Sequence, residues 1–329
     1  MASNERWRVW GRVAGPELPQ ANTQVGDITL GPAAGIAKPP DHPVKMNTPR
    51  TEGHASYSQA ASLLEVSSPC FLWVDDIAAE SSDAAIEKVA TEHAPMLAAA
   101  LSGGHAGPSY RIQVFGAQNR MNGYSFAALM QFAFWDDSPI TSERLFDVAL
   151  DYETIQGNPH ARKAATLLAR GTALADAGSD VSTVTASLLA FYQVLETLAM
   201  AIPPTTAADY ADQQAQIVAK LSKTLQAKDK VSKRVAAVRD ATVALDRLDA
   251  KYASLRIANA ADALGLTTEW TNRATELGKL RNTKLGHSGA SVELRALKPW
   301  LDDNDSNKIS APRLAKSMLE AFVAHLRGV

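Results

Sequence analysis

Residues 228–256 read KDKVSKRVAAVRDATVALDRLDAKYASLR, and their periodicity decides the architecture of half the chain. Val231, Val235, Val238, Leu245, Leu248, Tyr252 and Leu255 recur at spacings of three and four, with Thr242 filling the gap. That spacing puts them on one side of an amphipathic helix. The same character extends to both sides. His160–Ala177 and Ser182–Ala201 have helical periodicity, and Pro203-Pro204 stops the second. Thr206 followed by Asp209 marks a further helix start. Thr268 to Leu285 forms another helix, with Trp270, Ala274, Leu277 and Leu280 on one side. Pro312 opens a last helix whose buried face carries Leu314, Met318, Phe322 and Leu326. Residues 156–329 are therefore expected to form an all-α bundle.

Residues 1–155 read differently. Seven prolines and six glycines between Gly11 and Gly53 exclude long helices there. Arg6-Trp7-Arg8-Val9-Trp10-Gly11-Arg12-Val13 alternates cationic and apolar residues, as a strand with one wet face does. Asp27–Leu30, Ser62–Val66, Cys70–Val74 and Tyr110–Phe115 are further strand candidates, and Ser125–Trp135 reads as a long buried strand. Ser82–Leu101 reads as a helix that Pro95 threatens to break. The fold class expected is α+β: a mixed, largely antiparallel sheet domain over residues 1–155, then the helical bundle.

Composition narrows the function. The chain has 329 residues, 46% hydrophobic and 21% charged, the balance of a globular protein. No uncharged apolar run reaches the ~18 residues of a membrane span, so no membrane association is expected. Arginines and a tryptophan follow the first Met without an apolar run, unlike a secretory signal. Cys70 is the sole cysteine, which removes disulfides and Cys-rich zinc sites and fits a reducing cytoplasm. The net charge of −2 conceals −8 in residues 1–155 and +6 in residues 156–329. Such asymmetry suits different partners for the two halves.

Phosphate-loop, zinc-protease and serine-hydrolase signatures are absent. Asp75-Asp76 and Asp136-Asp137 each follow an apolar, Trp-containing stretch, and carboxylates at strand ends can hold Mg²⁺. The commoner use of such a pair is to start a turn, and no third ligand appears at a diagnostic spacing. No cofactor or metal is expected. His42, His54, His93, His105 and His160 are scattered without metal-ligand spacing, and no role is assigned to them. Lys220, Lys223, Lys228, Lys230, Lys233, Arg234 and Arg239 outnumber Asp229 and Asp240 in one run. The run can track a phosphate backbone or be a solvated helix face.

The most informative segment is Leu280-Arg281-Asn282-Thr283-Lys284-Leu285-Gly286-His287. Gly286 ends the helix, so His287 is expected to fold back toward Arg281. An imidazole beside a guanidinium and an amide are the parts needed to cleave RNA. The imidazole takes the 2′-hydroxyl proton or protonates the leaving oxygen, and the guanidinium stabilises charge on phosphorus.

An Arg-Asn pair followed by a His, on the penultimate helix of an all-α bundle, resembles the HEPN superfamily (higher eukaryotes and prokaryotes nucleotide-binding). Five residues separate Arg281 from His287, within that family's spacing, and Phe191–Leu198 resembles the first helix of its bundles. The resemblance implies catalytic roles for Arg281, Asn282 and His287, with Glu196 as the acidic residue facing them. A sensor-like region ahead of such a bundle resembles the ApeA-like antiphage proteins. The implied function is a metal-independent endoribonuclease of an antiphage or toxin-like system. RNA would be held by Lys220, Lys223, Lys230, Lys233, Arg234 and Lys284. The chain would act as a homodimer or in a larger assembly, with a defence-system partner protein possible at residues 1–155. The alternatives are a non-catalytic HEPN interaction or dimerisation module, and the accessory subunit of a nucleotidyltransferase pair.

Overall fold

A computed structural model describes residues 5–31, 43–48, 51–56, 70–103, 110–120, 125–127, 138–178, 180–202, 207–226, 231–285, 293–302 and 308–328. The chain forms two compact units, one of residues 1–169 with 326–329 and one of residues 170–325. The layout is α+β, with an N-terminal, largely antiparallel sheet followed by a mostly helical region.

In the first unit the strands are β1 (Glu5–Ala14), β2 (Glu17–Leu18), β3 (Thr23–Val25), β4 (Ile28–Gly31), β5 (Pro43–Thr48), β6 (Thr51–Ser56) and β7 (Phe71–Ala79). Helices α1 (Ser82–Lys88) and α2 (Ala94–Ser102) follow, joined by a π turn over Val89–His93. Then come β8 (Arg111–Asn119), β9 (Ser125–Ala127), β10 (Ser138–Pro139) and α3 (Ser142–Gly157). The main sheet runs β3-β4-β7-β1-β8-β9-β5-β6, antiparallel except for the β5–β9 pair, and β2 pairs with β10 in parallel. β1 lies near its centre, between β7 and β8; Arg6 and Arg8 turn to a wetter face opposite Trp7 and Val9, but the expected single wet face ends there, because Trp10, Gly11, Arg12 and Val13 are all buried.

Pro95 does not break the helix there. The π turn carries one extra residue just ahead of it, so the Ala94 N–H reaches back to the Val89 carbonyl and room opens for the proline ring. Nor does Asp75-Asp76 end β7, which continues to Ala79. The β1–β7 register shifts between Trp7 and Val9, and Asp76 takes φ = 60° in the resulting bulge. Arg8 grips Asp75 through two hydrogen bonds of 2.6 and 3.0 Å, and Arg120 lies 3.2 Å from Asp76. Arginine pairing within a bulged strand, in place of a turn, is thus what these carboxylates show. Asp136-Asp137, Ser62–Val66 and residues 128–135 of the expected long strand lie outside the described residues.

The helical region comprises α4 (Pro159–Ala177), α5 (Val181–Ala201), α6 (Ala207–Gln226), α7 (Val231–Ala263) and α8 (Thr268–Leu280). A π turn over Arg281–Leu285, α9 (Leu294–Leu297), a 3₁₀ turn over Lys298–Trp300 and α10 (Ala311–Arg327) complete it. The unit boundary falls inside α4. Asn158 caps α4, accepting from the His160 and Ala161 N–H groups, and Asp180 caps α5 in the same way through Ser182 and Thr183.

α5 is the core of the helical unit. Leu188, Phe191, Tyr192, Val194, Leu195 and Leu198 are all buried, and α7, α9 and the Arg281–Leu285 turn pack against it. It is, among the described helices, the one long and apolar enough to cross a membrane, and most of it is buried within the protein. The Trp270 indole on α8 donates to the Leu314 carbonyl of α10 at 3.2 Å. Arg273 stacks 3.5 Å over the Trp300 ring.

Two apolar faces depart from the sequence expectation. On α7, Leu248, Ile257, Ala260 and Ala261 are buried, but Val231 and Val235 are 76% and 64% exposed. Along the stripe itself Leu248 is the buried position among the described side chains, since Val238 and Leu255 are 46% and 37% exposed, and the buried Ile257, Ala260 and Ala261 stand off it. On α10, Leu314, Met318 and Phe322 are buried, whereas Leu326 is exposed. One residue further, Arg327 leads back to the first unit, where it bonds Asp151 at 2.7 Å and Asp147 at 3.1 Å.

Candidate active site

Three stretches far apart in sequence converge in the helical unit. α5 contributes Tyr192 and, one turn later, Glu196. α8 ends at Leu280, and the π turn begins at Arg281. A π turn winds more slowly than an α-helix, which re-aims the side chains at its start. Arg281 Nη2 lies 3.8 Å from Glu196 Oε1, and Nη1 donates to Asn282 Oδ1 at 2.9 Å. The guanidinium carbon stands 5.4 Å from the Tyr192 ring centroid. α7 supplies Ser254 and Arg256. At Gly278 a methyl group would come 3.3 Å from the Tyr192 hydroxyl and 3.5 Å from Ser254 Oγ, so glycine lets the tyrosine lie against α8.

The electrostatics follow from partial burial. Burial pushes the Glu196 carboxyl above its ordinary value, against the opposing pull of Arg281 and then Arg256. Burial, helped by the Glu196 charge and resisted by Arg281 and Ser254, pushes the Tyr192 phenol up to about 12. The Arg281 side chain keeps 37% of its surface open, so one side of the guanidinium faces solvent while the other faces Glu196. A guanidinium held by a carboxylate and an amide, with an open side, is arranged to receive a phosphate or another oxyanion.

Of the residues singled out in the sequence, Glu196, Arg281 and Asn282 come together here. His287, Lys230 and the Lys284 side chain lie outside the described residues. Lys220 and Lys223 are exposed on α6, Lys233 is exposed on α7, and Arg234 is half-buried beside it. Sequence reasoning gave no role to Tyr192 or Arg256. The i, i+4 relation of Tyr192 to Glu196 was the available signal for the first, and nothing local pointed to the second.

A second polar cluster, also missed, occupies the first unit. His93, in the π turn after α1, is buried, with Nδ1 3.0 Å from the Tyr152 hydroxyl and 3.3 Å from Asp27 Oδ2. Tyr152 donates to Asp27 Oδ1 at 2.7 Å. Burial works against ionised Asp27, but the hydrogen bonds from His93 and Tyr152 prevail and hold its pKa below the usual value. Among the described residues no three His, Cys, Asp or Glu side chains gather as a metal-ligand set.

Comparison of the chain with protein-family models, curated proteins and solved structures gives no match.

Proposed function

We propose that the helical unit is an endoribonuclease centre of the HEPN kind, acting through Arg281, Asn282 and His287 and needing no metal. The observation that supports it most is the meeting of Glu196 with Arg281 and Asn282, residues that the resemblance pairs across some 85 positions of sequence. In this reading RNA enters with a phosphate against the open side of Arg281. The guanidinium takes up the charge that grows on the non-bridging oxygens as the 2′-oxygen attacks. Asn282 and Glu196 are positioning residues that fix the guanidinium plane, and the His287 imidazole moves the proton. A second copy would supply the second imidazole that the reaction needs across the phosphate, so the working form is a homodimer or larger assembly. The exposed Lys220, Lys223 and Lys233 supply electrostatic attraction. A nuclease of this kind acts in defence or as a toxin, with the acidic first unit as the place for a sensor or partner.

The test is cleavage of single-stranded RNA in EDTA. Wild type should leave 2′,3′-cyclic phosphate ends, and Arg281→Ala and His287→Ala should each lose at least ~10²-fold in rate. Wild-type cleavage by both variants would refute the reading.

A further inference from the structure

The polar partners of Arg281 hold the edge of its guanidinium. Glu196 Oε1 faces Nη2 at 3.8 Å, and Asn282 Oδ1 accepts from Nη1 at 2.9 Å. A planar group tied at its edge can still tilt, and its flat sides are left to other neighbours. On one side lies Tyr192. The guanidinium carbon stands over that ring, 5.4 Å from its centroid and inside the ~6 Å reach of a cation–π contact. The ring is itself held firmly. Tyr192 is 1% exposed in the middle of α5, and its hydroxyl faces Ser254 of α7. α8 passes so close at Gly278 that a methyl group there would stand 3.4 Å from the ring carbon Cε2. Three helices therefore fix the ring, while the arginine beside it begins a π turn.

We infer that Tyr192 is a further positioning residue of this site, whose ring backs the Arg281 guanidinium and keeps its open side toward an incoming phosphate. The inference rests on reading Arg281 as an oxyanion site, and it holds whether or not that phosphate belongs to a cleavable RNA. The ring does the positioning and not the hydroxyl, because the negative quadrupole that attracts a cation lies on the ring face. A second carboxylate could hold the guanidinium too, but it would cancel the charge that the phosphate is to meet. An aromatic face attracts the cation and leaves its charge in place. Burial keeps the phenol neutral, with its pKa pushed up to about 12, so no phenolate competes with the phosphate. The same geometry makes position 281 selective for arginine, since a lysine brings a compact, strongly hydrated ammonium with no plane for the ring to back. The Arg281 side chain is 37% exposed, which sets the contribution of the ring between those of a surface contact and a desolvated one.

The experiment measures binding of inorganic phosphate to the full-length chain by ³¹P line broadening, counting the part that Arg281→Ala abolishes. Tyr192→Phe should bind within ~2-fold of wild type, and Tyr192→Leu about 3- to 10-fold more weakly. Added to Arg281→Lys, Tyr192→Leu should cost less than ~2-fold, because the partner of the ring has gone. On single-stranded RNA, Tyr192→Leu should lower kcat more than it raises KM, since the guanidinium matters most as charge grows on the phosphate. If phosphate binding follows this pattern while wild type leaves RNA intact, the ribonuclease reading falls and the role of Tyr192 stands. Equal losses from Tyr192→Leu with and without Arg281→Lys would mark a general loosening of the core and overturn the inference. So would wild-type affinity in Tyr192→Leu, an equal loss in Tyr192→Phe, or phosphate binding that Arg281→Ala leaves untouched. Should Tyr192→Leu fail to fold, the wild-type Arg281 Nε–H proton decides, identified by its loss in Arg281→Lys. The ring current of Tyr192 should move it upfield, and an ordinary arginine position overturns the inference.

Discussion

Replacing Tyr152 with phenylalanine keeps a buried ring and removes one oxygen, the atom that links His93 to Asp27. A hydrogen bond to a charged group contributes roughly 1.5–3 kcal/mol, and the Asp27 carboxylate, 42% exposed, recovers part of that from water. His93 stays within reach of Asp27. The expected loss is therefore about 1–2 kcal/mol near neutral pH, which corresponds to roughly 5- to 30-fold faster amide exchange where opening is governed by this cluster. Hydrogen-exchange mass spectrometry on peptides covering β3 and β4 reads that number directly. The pH dependence adds a second check. Asp27 has a folded pKa below its unfolded one, so its contribution is fully present above the unfolded value and is lost as pH falls through the folded value. Burial, and then the bond to Asp27, hold the Tyr152 phenol far above its ordinary pKa, so it stays a donor throughout. The gap between wild type and Tyr152→Phe should accordingly narrow as pH falls below the ordinary aspartate range. Unchanged exchange at neutral pH, or a gap that widens on acidification, would refute this account of the cluster.

Gly26→Ala should destabilise the first unit by about 2–4 kcal/mol, because φ is +57° and the new methyl group would meet Tyr152 ring carbons at 2.6 and 2.7 Å; a denaturant titration showing less than about 0.5 kcal/mol would contradict it. Gly171→Ala places a methyl group 2.7 Å from the Phe191 ring, and despite a helix-propensity gain of about 1 kcal/mol it should lower the melting temperature of the helical unit. Glu196→Gln should bind RNA at least as tightly as wild type, since it removes negative charge beside Arg281, yet cleave more slowly. The reverse pattern, weaker binding with unchanged kcat, would assign Glu196 to substrate contact instead of positioning.

The α+β layout was legible because the two halves carry different punctuation: prolines and glycines with alternating residues first, then alanine-rich runs of 3.6 periodicity. What local pattern could not convey was tertiary. The stripe on α7 looks uniform from Val231 to Leu255, yet Leu248 is buried while Val231, Val235, Val238 and Leu255 are exposed, and nothing in their spacing tells them apart. Asp75-Asp76 looks like a turn until Arg8 and Arg120 are placed opposite, from positions 67 and 44 residues away. His93 was passed over for the same reason, since both its partners are distant and neither carries a motif. In the candidate site, resemblance placed Glu196 beside Arg281, while Arg256 arrives from a helix with no signature of its own.

The return of Arg327 to the first unit has a consequence for biosynthesis. The polypeptide leaves that unit at Ala169 and rejoins it at Leu326, so the helical unit is an insertion within it. A ribosome makes the whole insertion before it delivers the guanidinium that Asp147 and Asp151 await. Burial already raises the Asp151 pKa against the pull of Arg327, with Asp147 adding to the rise. In a nascent or truncated chain ending before Arg327 that pull is gone and only the weaker one of Arg144 remains, so the Asp151 pKa should rise further. Because a raised folded pKa favours the folded state below it and penalises it above, such a fragment should be firmest in mild acid and loosen toward neutrality. Interrupted synthesis would thus leave an incomplete first unit exposed to proteases under the conditions in which the finished chain is closed.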